Sequence, residues 1–292
     1  MNSLTKEIAG KIASMITDKG WDVEIKESEE LNGTPRATLI CKKNESNIAP
    51  TVHITDAMAL DMLKGDYHKN IEELGNQMLA SLEQAEETSQ NMKVVVEGLT
   101  NIMQNRADFL SHVTMMLVNK KKNENADLVM VPTAGDLAYI FMIEVPGFEG
   151  CVKITHEHIA RHGISEAELY TAALANTEKF RPAIVKTIGE MIHMPEFDHT
   201  GAKMYVVSTK SMVNGAVAIT YPSVIQELTE ILGEGFIIIP SSIHEVICCN
   251  AEALSSGMLV PIIADVNNSV LESKEYLSDH PYTIKDGVMI GA

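Results

Sequence analysis

Residues 236–249 read FIIIPSSIHEVICC. Two short apolar runs rich in β-branched residues flank a polar segment, the pattern of two strands and a turn. Pro240 and the serines Ser241 and Ser242 supply turn chemistry between FIII and VICC, so the stretch predicts a β-hairpin. The same segment holds Ser242, His244 and Glu245, residue types that elsewhere make a hydroxyl nucleophile, its base and an orienting acid. In an extended chain, residues two apart share a face, so Ser242 and His244 would meet while Glu245 points away. A triad built on this pair therefore needs its acid from elsewhere, and Asp279 in LSDHPY is the candidate, with His280 a competing base.

Working outward, the same alternation of strand pairs and helices recurs. Residues 203–209 and 216–220 read as the preceding strand pair, followed by a helix over 222–232. A helix near 257–267 follows the hairpin, and the tail HPYTIKDGVMIGA predicts a second hairpin turning at Lys285, Asp286 and Gly287. Upstream, LAYIFMIEV, the turn PGFEG and CVKIT form another strand pair with two helices after it. The N-terminal half is more helical. Leu4, Ile8, Ile12 and Ile16 mark one helix, and Ile71, Leu74, Met78, Leu82 and Ala85 stripe a longer one. Between them WDVEIK, ATLICKK and residues 50–54 read as strands, and the helical pattern extends through Leu117. The fold class is α+β: antiparallel strand pairs each followed by helices, with a helical N-terminal half. The loop KKKNENAD suggests segments 1–120 and 126–292, either as two domains or as one integrated domain.

Three stretches share V-x-I-T before a helical pattern: TVHITDAMALDML, CVKITHEHIARHG and AVAITYPSVIQEL. Each predicts a strand ending at Thr55, Thr155 or Thr220, whose hydroxyl would cap the following helix.

Composition narrows the function classes. The formal net charge is −17, which opposes binding to a polyanion, and the one dense basic run, Lys120 to Lys122, sits in a polar loop. The 17 methionines read as core filler. The first twenty residues form an amphipathic helix without a signal-peptide core, and no apolar run is long enough to span a bilayer. Four cysteines without a CxxC spacing read as reduced, buried thiols, so the expected compartment is the cytoplasm.

Other motifs have an ordinary structural reading beside the functional one. HEHIARHGISEAELYTAAL, residues 156–174, has the spacing of a helix-turn-helix, but its second helix would open with Ser165, Glu166, Ala167 and Glu168, two of them carboxylates. His158 and His162, at i and i+4, are the candidate metal pair, with His193 or His199 as a third ligand. No Walker loop and no dinucleotide-binding glycine pattern occurs, and no cofactor is expected.

Several phrases together carry a resemblance: SNIAPTVHITD, GDLAYIFMI, KITHEHIARHGISEAELYTAALANT, the block from MYVVSTK through NGAVAITYPSVIQEL to IIIPSSIHEVI, and LSDHPYTI. The chain resembles, over nearly its whole length, an uncharacterised family of gut Firmicute proteins catalogued as a domain of unknown function. The order of elements is also distantly similar to a second uncharacterised Firmicute family. The resemblance implies a bacterial cytosolic protein of unknown function and carries over no catalytic residue. The leading expectation is a non-enzymatic binding or regulatory protein whose partner is a protein or a small ligand. The alternatives are a hydrolase using Ser242 and His244, and a helix-turn-helix-like transcriptional regulator.

Overall fold

The computed structural model describes residues 1–43, 49–87, 89–145, 150–194, 204–252 and 256–292. It has the α+β architecture expected, with all its strand pairs antiparallel among the described residues. The chain divides into two compact units, Met1–Glu97 and Gly98–Ala292.

In the first unit, α1 (Ser3–Thr17) buries Ile8, Ala9, Ile12, Ala13 and Ile16, the face that the four-residue spacing marks. Its start is fixed by Asn2, whose side-chain oxygen accepts from the Thr5 N–H at 2.8 Å. Strands β1 (Asp22–Glu29), β2 (Pro35–Lys42) and β3 (Thr51–Thr55) form a sheet in that order. Ala37, Leu39 and Cys41 of β2 alternate into the core beside α1. Thr55 caps α2 (Asp56–Asp61) as expected, accepting from Met58 N–H at 3.2 Å. Helix α3 (Tyr67–Glu87) adds Ile71, Met78 and Leu82 to the same core. The division between the units falls within α4 (Ser89–Gln104).

In the second unit, α5 (Arg106–His112) leads into β4 (Val113–Asn119). The helical pattern expected through Leu117 therefore stops early. Every residue of VTMMLVN is buried, and a short run apolar on both faces carries no periodicity to separate helix from strand. Strand β4 pairs along its full length with β6 (Leu137–Glu144), while β5 (Met130–Pro132) and β7 (Cys151–Lys153) share the other edge of β6. The Lys120–Asp127 loop lies within this sheet's connections, between β4 and β5. The predicted PGFEG turn lies mostly outside the described residues.

Helices α6 (His156–His162) and α7 (Glu166–Phe180) meet at Gly163, which takes φ +60, and Ser165 caps α7 by accepting from Glu168 N–H at 3.2 Å. Strand β8 (Ala183–Thr187) and the short α8 (Ile188–Met191) precede β9 (Met204–Thr209). A six-stranded sheet then runs β13-β12-β10-β11-β9-β8, built with β10 (Ile237–Pro240), β11 (Val246–Cys249), β12 (Tyr282–Lys285) and β13 (Val288–Gly291). Helix α9 (Pro222–Leu232) stands where expected, and α10 (Ser256–Val270) packs Leu259 and Ile263 on Ile237 and Cys249.

One strand pair is corrected. Residues Gly215–Thr220 form a buried 3-10 helix, not the strand partner of β9. Both edges of β9 are already taken, by β8 and β11, so no ladder is left for the AVAIT run. Thr220 consequently caps nothing; its hydroxyl donates back to the Val217 carbonyl at 2.7 Å, and α9 begins after Tyr221. The two hairpins are confirmed. Strands β10 and β11 pair from Ile237↔Cys249 to Pro240↔Val246, and β12 and β13 turn on Asp286 (φ +52) and Gly287 (φ +75).

Candidate functional site

The hairpin loop 241–245 is not extended, so strand parity does not govern its side chains. Ser242 is buried, and its hydroxyl oxygen accepts the His244 backbone N–H at 3.0 Å. The loop closes on a second bond, Ser242 N–H to the Glu245 carbonyl at 3.1 Å. The serine thus touches the histidine's main chain.

The His244 imidazole is occupied by other groups. Its Nδ1 accepts the Asn214 backbone N–H at 3.0 Å. That nitrogen must be unprotonated to accept, which fixes the neutral ring as the Nε2–H tautomer. Nε2 faces Glu275 Oε1 at 3.6 Å, both side chains being about one-third exposed (30% each). Glu275 arrives from the 3-10 turn Ser273–Glu275, and its carbonyl also takes the Ile243 N–H at 2.8 Å. The neutral ring's only basic lone pair lies under a backbone amide, so it has none to offer a serine proton.

Around this histidine three segments converge. Ser208 at the end of β9 donates its hydroxyl to the His244 carbonyl at 2.8 Å. Ala216 N–H bonds the Ile243 carbonyl at 3.2 Å, docking the 3-10 helix on the hairpin. Gly215 sits so close that an added Cβ would collide with Ser208 Oγ and lie 2.6 Å from Thr209 N and 2.7 Å from His244 O. The intervening loop, Lys210–Asn214, turns back with Met212 at φ +56 and Asn214 at φ +52. Asn tolerates the left-handed region; Met does so at a cost of about 1 kcal/mol or more. Arg181 holds the loop's other side, donating Nη1–H to the Val213 carbonyl at 3.1 Å while its Nε pairs with Glu144, which also accepts from Thr114 at 3.0 Å. Val213 itself projects to solvent, 51% exposed.

Asp279 belongs to a different network. Its Oδ1 accepts from Asn267 Nδ2 at 2.8 Å. Beside it, Asp136 collects the Tyr282 hydroxyl, the Ser278 hydroxyl at 2.9 Å and Asn119 Nδ2 at 2.8 Å. The phrases GDLAYIF and LSDHPY are joined here by an anchor for β12. Burial first, and the Asp136 carboxylate second, push the Tyr282 phenol well above its ordinary ionisation range.

The metal candidates are likewise engaged. His158 Nδ1 accepts Thr155 N–H at 3.1 Å, completing the cap of α6 that Thr155 was expected to provide. His162 donates Nε2–H to the Met103 carbonyl at 2.9 Å and lies against the Phe109 ring. His193 stands at φ +57, and His199 lies outside the described residues. Among the described residues no group of three or more His, Cys, Asp or Glu is placed to hold a metal ion. The helix-turn-helix segment turns Leu169, Ala173 and Thr177 inward, and Thr177 Oγ1 accepts the Met115 N–H of β4 at 3.1 Å. Of the thiols, Cys41, Cys248 and Cys249 are buried, but Cys151 is exposed, contrary to expectation. Burial raises the Cys41 thiol to about 11.

Glu275 and Asn214 are the groups that sequence reasoning missed. The Asn214-Gly215 dipeptide is a turn signal that marks the second; Glu275 has no local signal, lying 31 positions (275 − 244) from its histidine.

The chain belongs to a family of unknown function, DUF5688, whose model matches residues 1–285. No curated protein and no solved structure matches it. No helix among the described residues is long and apolar enough to cross a membrane.

Proposed function

We propose that this is a bacterial cytosolic protein with a non-enzymatic binding or regulatory role, and that its second unit presents the Lys210–Asn214 loop and the 241–245 turn as the binding surface. The observation that carries this reading is the use of His244 Nδ1 as acceptor for Asn214 N–H, which leaves no relay from the Ser242 hydroxyl to the ring. Polar side chains here shape two loops on a rigid sheet end, the usual construction of a recognition surface. Exposed Val213 flanked by Lys210 and Ser211 gives that surface an apolar centre with a polar rim, suited to a protein partner or a small ligand.

The test opposes this reading to a serine hydrolase. The full chain is incubated with a fluorophosphonate probe and with a p-nitrophenyl ester, beside the Ser242→Ala variant. The expected result is no adduct on Ser242 and equal ester turnover in both proteins. A stoichiometric Ser242 adduct, or turnover lost in the variant, overturns the proposal.

A further inference from the structure

We propose that His244 is a proton-operated latch on the Lys210–Asn214 loop: neutral, it holds the loop in its left-handed turn; protonated, it lets the loop go. The inference goes beyond the binding reading and stands independently of it.

The geometry sets the chemistry. Asn214 N–H points at Nδ1 from 3.0 Å, so the bond exists only while that nitrogen keeps its lone pair. A proton taken from solvent occupies the lone pair, and two N–H groups then face each other. One hydrogen bond is replaced by a repulsive contact, while the Nε2–H facing Glu275 keeps its proton. Charged groups surround the ring and the loop it holds. Glu275 lies 3.6 Å from Nε2. Arg181 stands on the far side of the loop at the Val213 carbonyl, with its charge countered by Glu144. Glu245 follows His244 directly in the chain, and Lys210 is exposed at the start of the loop. Glu275 is thus the nearest charge, and it waits at the nitrogen that stays protonated in both states.

The loop is poised to move when released. Met212 and Asn214 both occupy the left-handed region, and Met212 relaxes once the constraint goes. The remaining ties are Lys210 N–H to the Pro182 carbonyl at 2.9 Å, the Ser211 and Thr209 hydroxyls at 3.1 Å, Met212 N–H to the Thr209 carbonyl at 2.9 Å, Val213 N–H to Ser211 Oγ at 3.4 Å and the Arg181 bond; only the last two reach the segment next to Asn214. Histidine is the side chain whose charge changes within the cellular pH range, so acidification gates the Lys210–Asn214 loop.

The experiment is amide hydrogen exchange on the uniformly labelled full chain, corrected for the intrinsic pH dependence of exchange. The Asn214 amide is expected to lose roughly five- to tenfold in protection between about pH 7.5 and about pH 5.5, the loss of one hydrogen bond. In His244→Asn the side-chain oxygen takes the Nδ1 position without titrating, and protection stays constant across the same range. In Glu275→Gln the Asn214 N–H to Nδ1 bond is untouched, so the fall in protection on acidification remains. Constant protection in the unmodified chain overturns the latch, as does an equal fall in His244→Asn. Should His244→Asn not fold, the β9 amides of the unmodified chain serve as the control: a fall there equal to that at Asn214 overturns the latch.

Discussion

Replacing Gly215 with alanine tests how the 3-10 helix, β9 and the hairpin loop lock together. The new methyl would meet Ser208 Oγ, Thr209 N at 2.6 Å and His244 O at 2.7 Å. Two of those atoms are main chain, one in β9 and one in the hairpin loop, and neither can rotate aside. Overpacking at a site that cannot yield costs about 1–3 kcal/mol. Moving Ser208 Oγ also breaks its 2.8 Å bond to the His244 carbonyl, worth about 0.5–1.5 kcal/mol. The expected destabilisation is therefore roughly 2–4 kcal/mol, or a fall of about 5–15 °C in Tm for a unit of this size. Thermal and urea unfolding of the full chain, followed by far-ultraviolet circular dichroism, measure it. A variant within about 0.5 kcal/mol of the parent would mean that β9 and the hairpin are not packed against this glycine as described.

Three further outcomes follow from the same structure. Burial raises the Tyr221, Tyr276 and Tyr282 phenols, so at about pH 11 at least three of the seven tyrosines stay protonated in the native protein; spectrophotometric titration reading all seven ionised while folded refutes this. Their folded values lie above the unfolded ones, so their stabilising contribution is complete below about pH 10 and is lost as pH rises through the folded values. Ellman's reagent should reach Cys151 ahead of the other three thiols in the native chain, though more slowly than a free thiol because its sulfur packs on Met142 and burial raises its thiol pKa, and should titrate all four after denaturation; a Cys151→Ser variant loses the native phase. Asn2→Ala removes the α1 cap and should cost about 1 kcal/mol in urea unfolding monitored by the single tryptophan, Trp21, which lies in the same core as α1.

What could be read from sequence was local. The FIII–VICC and TIKDGVMI hairpins carry their turn chemistry between their own strands, and the faces of α1 and α3 follow from apolar spacing alone. The failures were decided at a distance. VTMML, residues 113–117, reads as helix because a strand buried on both faces shows no period of two, and its partner β6 lies across the Lys120 loop. AVAIT has a strand-like composition, yet becomes a 3-10 helix because β9 finds its neighbours in residues 183–187 and 246–249. In the candidate site, Ser242 and His244 were identified as neighbours, but their roles were set by a backbone amide and a carboxylate from other segments. Asp279 was matched to His244 by residue type and instead binds Asn267.

The tautomer of His244 tests the central claim most directly. Long-range ¹H–¹⁵N correlation of the imidazole in the full chain at neutral pH distinguishes the two neutral forms. The structure predicts Nε2–H, with Nδ1 shifted as a hydrogen-bond acceptor beneath the Asn214 amide. An Nδ1–H ring would contradict it, since that form cannot hold Asn214 and would free Nε2 as a base.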